Sequence, residues 1–210
     1  MSELTYDGQT LLGETFDGVD FAGISFEETK IHNCRFVRCS FRDARMLECH
    51  TASCWFEECS FNGTAFGGSQ HDMTSFVNCQ FDHTSMLDVT FLNCRLLGSD
   101  FVETSLFGCT IKGGDWSFVS LRNQNLRKQN LRNVKLAETD LTGCTLENAD
   151  LRGADLSRAN LSHTKLRGAD LRGTLMEGTD LRGLNIQGAK IDMPFAVAFA
   201  LAHGGILVDE

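Results

Sequence analysis

At 210 residues, 42% hydrophobic and 22% charged, the chain excludes intrinsic disorder and has room for one large domain or two small ones. A net charge of −9 excludes ordinary nucleic-acid binding, which needs a basic surface, and favours a basic protein surface as partner. Sixteen Phe against one Tyr, two Trp and one Pro mark an interior filled by rings that carry no polar group.

At the start of the chain, Met1 to Gly13 holds neither a basic region nor an apolar stretch of signal-peptide length. No run of about eighteen apolar residues follows, so no membrane span is expected. Nine cysteines, an odd number without a secretion signal, read as reduced thiols in a cytoplasmic protein.

Counting by fives from Leu11 to Ile191, 37 positions hold Leu, Phe, Ile, Met or Trp, except Thr51 and His71. Tyr6 continues the phase one step earlier. The position two residues before each of these is small at most repeats, with Gln124, Gln129 and Leu184 among the exceptions, and it holds all nine cysteines. The pattern is plainest late in the chain, as in Ala149-Asp150-Leu151-Arg152-Gly153 and Ala154-Asp155-Leu156-Ser157-Arg158. A period of five matches neither an α-helix nor an alternating strand. It suits a chain that turns a corner at every repeat, with the large and the small residue pointing inward. Four repeats then close a twenty-residue coil. Nine coils stacked by parallel pairing at about 4.8 Å make a filled rod roughly 43 Å long. Phe dominates the first half and Leu the second, so the halves are predicted to differ in width or turn type.

The repeat ends at Ile191, dividing the chain into a β-helix over 1–191 and a tail over 192–210. Asp192 or Met193 suits a helix cap, Pro194 the first turn and Gly204 the stop. The helix is apolar nearly all round, so it must be buried on more than one side. Capping the rod covers one side, and a two-fold dimer covers the other. The predicted dimer contacts are Phe195, Val197, Ala198, Phe199, Leu201, Ala202 and Ile206, with Ile206-Leu207-Val208 as a short extended segment.

On these repeats the chain resembles the pentapeptide-repeat proteins over about nine-tenths of its length. The resemblance implies an all-β fold, a right-handed quadrilateral parallel β-helix, here with a short C-terminal α-helix. Residues 196–204, Ala-Val-Ala-Phe-Ala-Leu-Ala-His-Gly, resemble the end of the mycobacterial member linked to fluoroquinolone resistance, and the Qnr group shares the architecture. This implies dimeric rods that imitate duplex DNA, engage DNA gyrase and protect it from quinolones or a natural gyrase poison. The Qnr proteins of Gram-negative bacteria interrupt the repeat with loops, and this sequence does not. The repeat alone also permits a scaffold or effector with another protein partner.

Assigning each repeat to a side of the square separates the charge. The sides of Phe16 and Phe21 together carry −7, whereas those of Leu11 and Phe26 carry +2. The candidate partner-binding residues on the acidic sides are Asp20, Asp43, Glu57, Glu58, Asp82, Asp100, Glu103, Asp115, Glu138, Asp140, Asp155 and Asp180. Residues 1–110 sum to −10 and residues 111–210 to +1. Duplex DNA would carry roughly 25 charges over the same length, so the charge imitation is partial.

No catalytic constellation, phosphate-cradling glycine loop or cofactor motif appears, and a filled rod offers no substrate pocket. His71 and Thr51 are read as a hydrogen-bonded irregularity of the core rather than a site. The cysteine columns lack the converging spacing of a metal site and are read as packing.

Overall fold

A large side chain at every fifth residue can stay buried only if the backbone turns before the next one. The computed structural model, which describes residues 5–206 and 208, shows how it turns. The residue two past each central one, from Gly8 to Gly188 with the exception of Gly183, takes a left-handed φ between 45° and 87°. Gly and Asn accept that conformation most readily.

At every corner from Leu121 to Ala189 a β-turn closes behind the central residue. Ala149 N, for example, donates to Leu146 O at 3.0 Å. Up to residue 95 this turn closes only the Phe21 and Phe26 sides, as in Ile24 N to Phe21 O at 3.0 Å, and the Phe16 side joins them at Leu96, where Ser99 N donates to Leu96 O at 3.0 Å. The other two sides there run as three-residue strands. Six strands line the Leu11 side, from Thr10–Leu12 to Thr110–Lys112. Four line the Phe16 side, from Thr15–Asp17 to Ser75–Val77. All pairing is parallel and offset by twenty residues, as in Leu11 opposite Ile31. The expected difference between the halves is therefore one of turn type.

The bore is filled. On the Phe16 side Phe16, Phe36, Phe56 and Phe76 stack at 4.9, 4.7 and 5.0 Å. They meet the neighbouring Phe column edge-on, as in Phe36 against Phe41 at 5.4 Å. Both geometries suit the ring quadrupole. Trp116 marks the change from Phe to Leu. It is buried between Phe91 and Phe101, and its indole N–H has no partner among the described residues.

Beside that change the ladder opens. No peptide hydrogen bond joins residues 105–108 to the coil on either side. Two side chains fill the gap instead. Gln124 Nε2 donates to Thr104 O at 2.7 Å, and Leu106 N donates to Gln124 Oε1 at 3.0 Å. Gln129 Nε2 donates to Cys109 O at 2.6 Å. Across the rod the Phe16 side stays zipped, with Asp115 N on Cys94 O at 2.9 Å and Trp116 N on Lys135 O at 2.8 Å. The coils thus gape on the Phe26 side, at mid-length.

The rod ends in a helix, α1, over Met193–Ala202. Asp192 caps it through Oδ1, which accepts from Phe195 N at 3.1 Å, while Oδ2 accepts from Gly173 N at 2.5 Å. Phe195 is buried against the last coils, and Phe199 and Ala202 pack partly on them. Ile206 and Val208 are exposed; Leu207, between them, lies outside the described residues.

Candidate interaction surface

The repeat places Asp before the central residue, and the structure shows why. The carboxylate accepts the amide two residues on: Asp20 from Ala22 at 3.0 Å, Asp100 from Val102 at 3.2 Å, Asp115 from Ser117 at 3.1 Å and Asp155 from Ser157 at 2.9 Å. This is a local turn-stabilising bond, and it leaves the charge on the surface.

Arginines then neutralise part of that charge. Arg122 pairs with Asp140 at 2.8 Å, Arg158 with Glu138 at 3.4 Å, Arg182 with Asp180 at 2.8 Å and Arg35 with Glu57 at 2.5 Å. His83 lies 3.0 Å from Glu103. Hydrogen bonds from Arg182 hold Asp180 down at about 2. Among the described residues, Asp20, Asp43, Glu58, Asp82, Asp100, Asp115 and Asp155 have no cationic partner within ion-pair distance. Four of these seven, Asp20, Asp43, Asp82 and Asp100, lie on the Phe21 side, in the first half of the rod. Asp82 is pushed up from the ordinary carboxylate value by partial burial and by the like charges of Asp100 and Glu103. That pressure would fall on meeting cations.

The inward exceptions behave as a core irregularity. His71 Nδ1 is 2.8 Å from Thr51 Oγ1, His71 Nε2 is 3.0 Å from Ser69 Oγ, and Thr51 Oγ1 is 2.9 Å from Thr74 Oγ1. All nine cysteines are buried and free. Seven of the thiols donate to carbonyls of the coil before, as Cys54 does to Ile31 O and Cys94 to His71 O, both at 3.2 Å. Burial pushes the Cys94 and Cys109 thiols up to about 12, which makes them inert. Among the described residues no three His, Cys, Asp or Glu converge on a metal-sized point. No helix there is long and apolar enough to cross a membrane.

Of the predicted tail contacts, Phe195 faces the rod interior. Val197, Phe199 and Ala202 are half-buried, while Ala198, Leu201 and Ile206 are exposed. Leu175, Met176, Pro194, Phe195 and Ala198 line an apolar recess of about 330 Å³ beside the helix.

One surface feature escaped the side-by-side charge count. Leu87 and Phe107 are exposed apolar residues on the side of the open ladder, Val102 is one on the adjoining side and Phe118 one on the Phe16 side. They stand one or two places past the central residue, where most repeats carry polar or charged groups, and that contrast was the available signal.

Family models agree with this geometry. The model for pentapeptide repeats, in eight copies, matches residues 117–153 and 154–192. The model for a pentapeptide repeat region matches residues 14–86.

The chain belongs to the pentapeptide-repeat family.

Comparison with curated proteins returned no match. Among solved structures, it is similar to trypsin-treated QnrB1, a plasmid-mediated fluoroquinolone resistance protein. The TM-score is 0.82 at 21% identity, covering 95% of this chain and 100% of that one. Full-length QnrB1 gives a TM-score of 0.75 at 21% identity, covering 94% and 100%. At these identities the likeness shows the fold, a right-handed quadrilateral β-helix with a short terminal helix.

Proposed function

We propose that this pentapeptide-repeat protein is a non-catalytic, cytoplasmic, dimeric binding protein that imitates duplex DNA and occupies a DNA-binding surface of DNA gyrase. Its effect would be to protect the enzyme from quinolones or a natural gyrase poison. The observation that carries the reading is the placement of unpaired carboxylates along two adjacent sides of the rod. Asp20, Asp43, Asp82 and Asp100 form one row, and Glu58, Asp115 and Asp155 lie on the neighbouring side. Such a surface attracts the basic groove that a topoisomerase offers to DNA. The fold shared with QnrB1 supports the choice of partner. The half-exposed face of α1 supports a tail-to-tail dimer, which doubles the rod.

The test is a gyrase supercoiling assay with purified protein, with and without a fluoroquinolone. Rescue of supercoiling, or its inhibition at higher protein concentration, is the expected result. No effect at micromolar concentration would sink the reading and return the field to a scaffold with another partner.

A further inference from the structure

Charge alone does not supply the affinity that this function needs. The two acidic sides net −7, against roughly 25 charges on duplex DNA of the same length. Complementary charge chiefly sets encounter rate and register, whereas a few desolvated aromatic or apolar anchors set how long a complex lasts. Phe107 is 65% exposed, Leu87 62% and Val102 48%. Leu87 and Phe107 occupy equivalent places in successive coils of the Phe26 side, and Leu87 leans over Gly108. Val102 lies on the adjoining acidic side. Scattered apolar residues on a surface need no explanation, but Leu87 and Phe107, stacked at one place in successive coils, do. Phe107 sits on residues 105–108, where no peptide hydrogen bond reaches the coil on either side and Leu106 N is held by Gln124 instead. Carboxylates border it: Asp88 beside Leu87, Asp100 and Glu103 around Val102, and Asp82 one coil away.

We propose that Phe107, with Leu87 beneath it and Val102 on the adjoining side, anchors the protein–protein interface by entering an apolar pocket on gyrase whose rim carries Lys or Arg. The proposal rests on the gyrase reading above. The basic rim follows from the acidic border, since a neutral or acidic rim would leave those carboxylates desolvated without partners. The rival occupant is a second copy, because the same side carries Arg127, Lys128 and Arg167 in its other half.

The test is binding kinetics of the full chain on immobilised gyrase holoenzyme, read at several salt concentrations. Phe107→Ser is expected to raise the dissociation constant at least about tenfold, nearly all of it through faster dissociation. Phe107→Leu should retain most of the binding. Asp82→Asn with Asp100→Asn should instead slow association and flatten the salt dependence. Because Phe107 is exposed, the Ser variant should keep the wild-type melting temperature, which separates a lost anchor from a damaged rod. Wild-type kinetics in Phe107→Ser, while wild type still binds gyrase, would overturn this proposal and leave the gyrase reading standing. A wild type that does not bind gyrase would overturn both. A lateral dimer in sedimentation that Phe107→Ser dissolves would show that a second copy covers the patch, and would overturn the proposal as well.

Discussion

His71, next to Thr51 in the same column, interrupts a stack of large apolar side chains, and its environment decides its charge. Burial, reinforced by His50, lowers its pKa to about 3, whereas an unfolded histidine titrates near 6.5. Between those values the unfolded chain holds a proton that the native one does not. Stability therefore rises with pH across that window, and is lost as pH falls from about 6.5 toward 3. From pH 7 to pH 5 the loss from this residue should be about 2 kcal/mol. Asp170, held at about 2 chiefly by hydrogen bonds from Arg172, acts in a lower window. Its contribution is complete above the ordinary carboxylate pKa near 4 and fades only below it. The urea midpoint of wild type should drop between pH 7 and pH 5, and that of His71→Phe should drop far less; parallel slopes would refute the assignment. Gly114 presents a steric case. A Cβ there would stand 2.1 Å from Cys94 O, at a φ of 93° that L side chains avoid. Gly114→Ala should cost at least about 2 kcal/mol, or roughly 5 °C in melting temperature, in a scanning calorimeter. A melt within a degree of wild type would show that the two coils can part there.

At the scale of the coil, the open ladder beside Leu106 is held by one amide side chain. Gln124 supplies an acceptor to Leu106 N and a donor to Thr104 O, replacing two backbone hydrogen bonds that the next coil does not offer. Removing it strands both groups in a site where Gln124 is only 8% exposed. Gln124→Ala should therefore cost about 2–4 kcal/mol, at roughly 1–2 kcal/mol for each stranded group. It should also speed amide hydrogen exchange locally, at 104–108 rather than along the rod. A stability loss with no local change in exchange would place the defect elsewhere. The coil itself, its two inward columns and the helix over 193–202 were legible in residue spacing, because a large side chain every fifth residue has few ways to stay buried. The open ladder was not. Gln124 and Gln129 were visible as exceptions, yet nothing in a five-residue pattern says that a side-chain amide takes the place of a ladder bond. The left-handed column two past each centre was obscured in the same way, since Glu, Arg and His occupy it as well as Gly and Asn.

For the whole molecule, the side to which each carboxylate belongs was legible because it is fixed by counting in twenties. Which carboxylates are neutralised was not, since that depends on arginines reaching from the same or a neighbouring coil, as Arg122 does to Asp140 and Arg158 to Glu138. The tail was legible as a helix, but the division of its surface between the rod interior and the outside was not. Phe195 turns into the core, and Phe199 lies between, its ring 6.1 Å from that of Phe195 and 4.1 Å from that of His203. What remains outward is Leu201 at 47% exposure, Met193 at 75% and Ile206 at 85%, beside the exposed Leu175. An apolar end of this kind is covered most simply by the same end of a second copy across a two-fold axis. Light scattering should then give wild type a mass twice that of the 23.2 kDa chain. Phe199→Asp should give the monomer, but it also disturbs packing on the last coil. Leu201→Asp changes only an outward side chain and should give the monomer with the rod's melting unchanged. A single-chain mass for wild type at tens of micromolar, or a dimer that survives both substitutions, would refute the tail-to-tail assembly.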